Sequence, residues 1–233
     1  MSPRRGKPLR QFAVIGLGRF GRSVARTLYE MGHEVLGVDV DEELVQEMAN
    51  EVTHAVQADA TDEDALRQLG IRNFDVVVVA IGDLEASIVA TLLLKELGVE
   101  YIVSKASSEL HGKVLEKVGA DRVIYPERDM GVRVAHNLVS GNLIDYIELM
   151  PGYSVMELVA KDELVGKTLR QLDLRAKYGI NILAIRRGNE IIVNPSADEE
   201  FQRGDILVAM GRDDRLERLE AVDNQRARVP GNP

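Results

Sequence analysis

A glycine-rich segment directly after a short apolar run constrains the fold of this sequence more than any other feature. Residues 12–15 have the composition of a buried strand, Gly16-Leu17-Gly18-Arg19-Phe20-Gly21 follows, and residues 23–31 have helical composition. A first glycine permits a tight turn, a second lets a phosphate approach the backbone, and a third lets the helix pack closely on the strand. Because the N–H groups at the start of such a helix face an anion, the segment predicts a phosphate-binding loop.

The segment after this helix supports the same interpretation. Residues 34–39 have the pattern of a second strand that ends in Asp39, about 20 residues past the loop, where a ribose-binding acid is expected. The carboxylate of Asp39 would accept hydrogen bonds from ribose hydroxyls, and its charge disfavours a 2′-phosphate. NADP is therefore the least expected dinucleotide. The alternative is a glycine turn beside a surface aspartate, with no ligand.

Length and hydropathy indicate the class of protein. The chain has 233 residues, of which 45% are hydrophobic, and this suffices for one large or two modest domains. No apolar stretch reaches the roughly 20 residues that a membrane span needs. The basic residues 3–7 precede an ordinary strand instead of a signal-peptide core. We therefore expect a cytoplasmic protein with no direct membrane insertion.

Residue counts exclude several kinds of chemistry. The sequence contains no cysteine, which excludes disulfides, thiolate catalysis and cysteine-zinc sites. A formal net charge of −9 argues against nucleic acid as a partner, because such affinity comes from Lys and Arg that neutralise phosphates. Only 4% of the residues are aromatic and Trp is absent, so platforms for base stacking are also scarce.

The pattern of apolar runs predicts an α/β protein with two domains. Residues 11–128 alternate six strands with helices, as in a Rossmann-type doubly wound parallel sheet. Residues 129–147 follow as a connecting helix or oligomerisation arm, and residues 148–222 predict a second, smaller α+β domain. Residues 1–10 and 223–233 are expected to be flexible tails. The strands are predicted at 12–15, 34–39, 55–59, 75–81, 101–104, 122–125, 154–159, 180–185, 190–193 and 206–210. The helices are predicted at 23–31, 42–50, from 61 onwards, 87–97, 113–118, 129–143, 166–177 and 213–221.

A search for catalytic groups gives little. The predicted second domain contains no histidine, and its carboxylates, including those at 198–200, lie among like charges in predicted loops. The four histidines that precede it lack metal-ligand spacing, so we expect structural or surface roles for them. They are His33, His54, His111 and His136. The sequence therefore predicts a protein that is not an enzyme.

Three further residues are placed near the predicted ligand crevice. Asp59 follows the third strand, where it either faces the ligand or forms a cap-like contact beside Thr61. Lys105 follows the fifth strand and could neutralise a phosphate. Arg19, inside the loop, could clamp terminal phosphates from its own site or a neighbouring subunit's, which favours ADP or ATP over a dinucleotide. The alternative for Arg19 is a solvated side chain.

Several segments resemble the KtrA/TrkA family, the cytosolic regulatory subunits of bacterial potassium transporters, whose nucleotide-binding module is the RCK or KTN domain. The resemblance spans about residues 11–222 and is strongest to the KtrA type. It implies homodimers that build an octameric ring, which docks beneath a dimeric integral-membrane potassium transporter and changes shape when ATP replaces ADP. The protein would then lie at the inner face of the membrane through this partner. The matching segments are residues 11–21, 31–35, 69–74, 114–122 and 126–131.

The resemblance also implies roles for particular residues. Phosphate contacts fall to Gly18, Arg19 and Lys105, with Arg19 reaching the terminal phosphate across the dimer interface, and the ribose contact falls to Asp39. Glu127 corresponds to a carboxylate that helps to bind an activating divalent cation, Ca²⁺ or Mg²⁺, near the phosphates. The complete nucleotide-contacting set is Gly16, Gly18, Arg19, Phe20, Gly21, Asp39, Asp59, Ala60, Ala80, Gly82 and Lys105, with Asp59 and Ala60 on the adenine side.

The second domain resembles the RCK-C module, which in several relatives binds cyclic di-AMP between two subunits. Arg175 would pair with a phosphate while isoleucines pack on adenine; the alternative is an ordinary dimerisation core. The other functions left open are an NAD(H)-dependent oxidoreductase with a small second domain, and a nucleotide or cyclic di-AMP sensor without a transporter. The residues on the matching stretches are Asp173, Arg175, Ile180, Asn181, Ile182 and Pro195.

Overall fold

The computed structural model describes residues 10–139 and 143–221. The chain separates after Arg128 into two compact units, and each is described by itself. Apart from Arg10, the tails predicted at 1–10 and 223–233 lie outside the described residues, as does the middle of the predicted connecting segment.

The first unit is built on a six-stranded parallel sheet, which confirms the predicted fold class. The strand order is β3-β2-β1-β4-β5-β6, and every neighbouring pair is parallel. The third and fourth strands are shorter than predicted, so 58–60 and 80–82 are loops at the carboxyl edge of the sheet. The strands are β1 Gln11–Ile15, β2 Glu34–Asp39, β3 His54–Gln57, β4 Val76–Val79, β5 Ile102–Lys105 and β6 Arg122–Ile124.

Helices follow the strands and begin where side chains cap them. Asp41, Asp62, Asp83 and Ser108 each accept hydrogen bonds from backbone N–H groups of the helix that follows. The helix predicted to begin at Thr61 starts two residues later, because Asp62 is its cap. The helices are α1 Arg19–Glu30, α2 Glu42–Met48, α3 Glu63–Gln68, α4 Leu84–Glu96 and α5 Glu109–Val118, with a short 3₁₀ turn at Ile71–Asn73. A further helix, α6 Pro126–Val139, begins before the division between the units.

Both faces of the parallel sheet are buried. One core contains Ile15, Val38 and Val79, and the other contains Val14, Leu17 and Val78, as the alternation of a central strand requires. Because side chains cover both faces, the sheet leaves only its edges and strand ends for a ligand.

The second unit contains a five-stranded antiparallel sheet in the order β10-β9-β11-β8-β7. Its first strand, β7, was not predicted: residues 143–147 were assigned to the connecting segment. A two-residue turn, Pro151-Gly152, joins β7 to β8, and Gly152 has φ +83°. The strands are β7 Leu143–Met150, β8 Tyr153–Val159, β9 Asn181–Arg187, β10 Glu190–Val193 and β11 Ile206–Arg212.

The helix predicted at 166–177 is wrong, because two short helices occupy this stretch. They are α7 Leu169–Leu172 and α8 Leu174–Tyr178. Asp173 lies between them at φ 48° and interrupts the helical backbone. Thr168 and Gln171 form a reciprocal capping box that fixes the start of α7. The last helix, α9 Asp213–Ala221, agrees with the sequence prediction.

A buried ion pair ties the turns of the second unit together. Arg187 Nε and Nη2 each donate to a carboxylate oxygen of Asp205 at 2.9 Å, and Nη1 donates to Glu199 at 3.1 Å. The side chain of Asp205 is fully buried. Burial opposes ionisation of Asp205, but the hydrogen bonds from Arg187 and the Gln202 N–H outweigh it, and its pKa is lowered.

Candidate functional site

The site lies at the carboxyl edge of the parallel sheet. The strand order reverses between β1 and β4, so the chains leaving these two strands turn in opposite directions and open a crevice. The first strand leads into the glycine loop, and the fourth leads into residues 80–82. The sequence therefore placed the loop at the point where a doubly wound sheet binds its ligands.

Two of the loop glycines are required by the fold itself. Gly16 has φ +94°, and a Cβ there would lie 2.8 Å from the carbonyl carbon of Ala80. A Cβ on Gly21 would lie 1.8 Å from the carbonyl oxygen of Gly16. Gly16 therefore permits the turn and its packing against Ala80, which follows β4. Gly21 permits the close approach of α1 to the backbone of Gly16.

Gly18 differs from both, because nothing in the folded chain requires it. Its φ is −64°, which any residue adopts, and a Cβ there would meet no atom within 4 Å. Gly18 is also the N-cap of α1, and no side-chain hydrogen bond caps this 12-residue helix. The helix N-terminus is thus left open, with the geometry and the positive dipole end that suit a phosphate.

Asp39 fixes the loop from the neighbouring strand. Its Oδ2 accepts a hydrogen bond from the Leu17 N–H at 2.6 Å, and its Oδ1 accepts one from the Asp41 N–H at 3.0 Å. A carboxylate offers about four acceptor positions. The two that remain on Asp39 are available to ribose hydroxyls, so this residue can orient the loop and bind a sugar together.

Asp59 forms the cap-like contact with Thr61 that was one of its two alternatives predicted from the sequence. Its Oδ1 accepts from the Thr61 N–H at 2.8 Å and from the Thr61 hydroxyl at 2.7 Å. The hydrogen bond from the Thr61 hydroxyl is the main reason that the pKa of Asp59 is lowered. Asp59 is exposed, and its Oδ2 is left for a further donor. Ala60 and Ala80 are buried beside the crevice, and a Cβ on Gly82 would meet no atom within 4 Å.

Lys105 and Glu127 pair at the β5–β6 side of the edge. Lys105, the last residue of β5, donates to Glu127 at 2.6 Å between Nζ and Oε1. This hydrogen bond is the main cause of the lowered pKa of Glu127, and the charge of Arg19 lowers it further. The Lys105 side chain is only 16% exposed and that of Glu127 is 67% exposed, so the carboxylate covers the ammonium group from the solvent side. Arg19, the first residue of α1, lies at the same carboxyl edge of the sheet.

The sequence did not reveal the contact between Lys105 and Glu127. The contact depends on tertiary structure, because Lys105 pairs with Ile124 across the neighbouring strands β5 and β6. The residues that follow parallel neighbours emerge at the same edge.

A buried polar network lies behind this edge and was also missed. His111 is 3% exposed, its Nε2 lies 2.9 Å from the Ser87 hydroxyl, and its Nδ1 accepts from the Ser107 N–H. Thr91 joins Ser87 to Ser104 through its hydroxyl. Burial lowers the pKa of His111, which favours the neutral ring. No group of three or more His, Cys, Asp or Glu that would hold a metal ion occurs among the described residues.

The six residues singled out in the second unit differ in their accessibility. Arg175 is exposed on α8, and Asp173 occupies the left-handed position before it. Ile180 is 1% exposed and packs in the core, while the remaining three are half-buried. These three are Asn181, Ile182 and Pro195.

Family models match both units. The TrkA-N domain matches residues 12–126 and the TrkA-C domain matches residues 155–222. The chain is 53% identical to the Ktr system potassium uptake protein C of Bacillus subtilis over 212 residues, which cover 91% of this chain and 96% of the relative. It is 50% identical, with the same coverage, to the Ktr system potassium uptake protein A of that organism. The chain belongs to the Ktr family of potassium uptake proteins. The predicted resemblance is therefore confirmed.

Solved structures agree with the fold of this Ktr family member. The GsuK RCK domain superposes with a TM-score of 0.51 at 24% identity, covering 91% of this chain and 46% of that chain. The NAD(P)-binding domain of an exopolyphosphatase-related protein from Archaeoglobus fulgidus superposes with a TM-score of 0.50 at 25% identity, covering 56% of this chain and 97% of that one. In the described part of the chain, no helix combines the length and apolar character of a membrane span.

Proposed function

We propose that this protein is a nucleotide-sensing regulatory subunit of a bacterial potassium uptake system, and that ATP and ADP at the glycine loop favour different conformations of its assembly. The observation that carries the proposal is the open N-terminus of α1 at the carboxyl edge of the sheet, where Arg19 begins the helix and Lys105 ends β5. The phosphates of a nucleoside diphosphate are sufficient to accept hydrogen bonds from the free backbone N–H groups at the start of α1. Two further cations at the same edge suit an additional phosphate, which only the triphosphate has.

The residues of the site fit a nucleotide. The uncapped backbone at Gly18 suits the phosphates, and the free acceptor positions of Asp39 suit ribose hydroxyls. Asp59 and Ala60, which follow the neighbouring strand, are proposed for the adenine side. Ligands that bind two conformations equally shift neither, so a switch requires contacts that only one nucleotide makes. We assign this difference to Arg19 and Lys105.

Glu127 has a distinct role in this proposal. Its carboxylate neutralises Lys105 at 2.6 Å. A phosphate that binds Lys105 displaces this carboxylate, which is then available to a divalent cation, Ca²⁺ or Mg²⁺, that the phosphates attract. Phosphate binding and cation binding are coupled through one lysine.

The family supports a proposal for the partner and the assembly. The relatives at 50% and 53% identity are named as potassium uptake proteins, which supports an integral-membrane potassium transporter as partner. We propose that the protein works at the cytoplasmic face of the membrane, as a ring built from dimers, without catalysing a reaction. Cyclic di-AMP is proposed as a second ligand of the second unit, near Asp173 and Arg175.

An NAD(H)-binding protein is the alternative, and Asp39 favours it because an acid at this position suits an unphosphorylated ribose. The similar domain from Archaeoglobus fulgidus is described as NAD(P)-binding. A reductase would also need a group that transfers protons at the nicotinamide. The two functions differ in their dependence on Arg19.

Isothermal titration calorimetry with ATP, ADP, NADH and NAD, with and without Mg²⁺ or Ca²⁺, tests the proposal. We expect Arg19→Ala to weaken the binding of ATP more than the binding of ADP. Arg22, one turn along α1 and paired with Glu47, provides the control, because Arg22→Ala should change neither affinity. Glu127→Gln removes the negative charge that neutralises Lys105, so the nucleotide affinity without a divalent cation should be unchanged or higher. The increase in nucleotide affinity that Mg²⁺ or Ca²⁺ causes should be lost. Exclusive binding of NADH or NAD, unaffected by Arg19→Ala, would overturn the proposal.

A further inference from the structure

The second unit contains a cavity of about 600 Å³ beneath α7, α8 and α9. This volume lies within the range of small-molecule sites. Leu172, Leu174 and Leu219 line it, and the last two are buried side chains of the core of this unit. The cavity therefore has an apolar floor that reaches the hydrophobic interior.

The rim of this cavity is cationic. Lys167, Lys177 and Arg218 line it, against one carboxylate, Glu163. A cluster with a net charge of +2 is unusual in a chain whose net charge is −9. The three cations lie on three separate elements, the loop after β8, α8 and α9.

The three cations differ from most arginines of this unit in their pairing. Most arginines of the second unit form ion pairs, as Arg170 does with Asp198 and Arg203 with Asp162. Among the side chains of this unit that the structure describes, none forms an ion pair or a side-chain hydrogen bond with Lys167, Lys177 or Arg218. The unit thus leaves positive charge unneutralised where it surrounds an apolar cavity.

We infer that this cavity binds a small anionic amphiphile, a molecule with a carboxylate or phosphate head and an apolar body the length of a short alkyl chain. The head lies among Lys167, Lys177 and Arg218, and the apolar body covers the leucine floor, where it removes apolar surface from water. None of the six residues that the family resemblance implies for cyclic di-AMP lines the cavity. The lining thus shares no residue with the set implied for cyclic di-AMP or with the nucleotide-contacting set.

Fluorescence titration of the full-length protein with anilinonaphthalene sulfonate, itself an anionic amphiphile, tests this inference. The double variant Lys177→Glu/Arg218→Glu should raise the Kd about tenfold, which corresponds to ~1.4 kcal/mol. Both side chains are exposed, so the fold tolerates the change, and circular dichroism of this variant and of Lys177→Gln/Arg218→Gln verifies it. Lys113→Glu/Lys117→Glu is the matched control, because it makes the same charge change at two exposed positions of α5 that do not line the cavity, and it should leave the Kd unchanged.

Competition identifies the chemistry of the ligand. Decanoate should displace the probe, whereas decyltrimethylammonium, which has the same alkyl length and the opposite charge, should not. Inorganic phosphate, which lacks the apolar body, should not displace the probe either. Equal displacement by decanoate and decyltrimethylammonium would overturn the inference, as would equal weakening by Lys113→Glu/Lys117→Glu and by the Lys177→Glu/Arg218→Glu variant.

Discussion

The substitution Gly18→Ala separates the folding role of the glycine loop from its binding role. The backbone at Gly18 has φ −64° and ψ −175°, and an added Cβ meets no atom of the chain. We therefore expect a stability loss below about 1 kcal/mol, the difference between Gly and Ala at an N-cap. The same methyl group occupies the open space at the start of α1, where a phosphate would approach.

The binding loss can be derived from the contacts that this methyl group blocks. A hydrogen bond to a charged acceptor contributes about 1.5–3 kcal/mol. If one or two such hydrogen bonds from the loop N–H groups are prevented, the affinity for ADP should fall by about tenfold to more than 100-fold, since ~1.4 kcal/mol corresponds to a factor of ten. Isothermal titration calorimetry measures the affinity, and urea unfolding followed by circular dichroism measures the stability.

Two other glycine substitutions provide the comparison. Gly21→Ala places its Cβ 1.8 Å from the Gly16 carbonyl oxygen, so it should damage both stability and binding. Gly131→Ala lies in the interior of α6, where a Cβ meets no atom within 4 Å, so it should leave binding unchanged and raise stability by at most about 1 kcal/mol. Unchanged ADP affinity in Gly18→Ala, with wild-type affinity in Gly131→Ala, would refute the assignment of the loop as the phosphate site.

Three more predictions concern both units. Arg187→Met leaves the fully buried Asp205 carboxylate without its cationic partner, so it should destabilise the second unit by about 3–5 kcal/mol. Amide hydrogen exchange in β8 and β11 should then become at least about 100-fold faster. Arg170→Met, which breaks an exposed pair, should cost at most about 1 kcal/mol, and equal effects would contradict the argument. Because the folded-state pKa of Asp205 is lowered, its stabilising contribution is complete above the ordinary aspartate pKa. This contribution is lost as the pH falls through the lowered value, and an acid titration of unfolding by circular dichroism in wild type and Arg187→Met should show the difference. Finally, Asp39→Asn removes the charge that repels a 2′-phosphate, so the NADPH-to-NADH affinity ratio from calorimetry should rise about tenfold; an unchanged ratio would place Asp39 away from the ribose.

The parallel sheet was predictable because its signals are local. The glycine loop, the acid at the end of β2 and the valine run of β4 each determine one element, and the right-handed connections of parallel strands then limit the topology. The positions of Gly16, Gly21 and Asp39 at the crevice follow from this order. These parts of the candidate site could be derived before any coordinates were known.

The features that were missed depend on tertiary contacts or on single backbone angles. The strand β7 forms because Pro151-Gly152 closes a tight hairpin onto β8, a signal present in the sequence but outweighed by the apparent helical run before it. The left-handed backbone at Asp173 splits one expected helix in two, and aspartate tolerates that conformation better than most residues do. The pair of Lys105 and Glu127 requires the pairing of β5 and β6, which no local pattern encodes.

The hydrogen bond from the Leu17 N–H to Asp39 has a kinetic consequence. Together with the packing of Gly16 on Ala80, it holds the loop in one shape before any ligand arrives. The conformational entropy of ordering the loop is therefore lost during folding and not at each binding event. Under the proposed function, nucleotides would replace one another without a loop-closing step, and the strength of its own phosphate contacts would govern the residence time of each. The proposed sensor would then respond as quickly as its bound nucleotide dissociates.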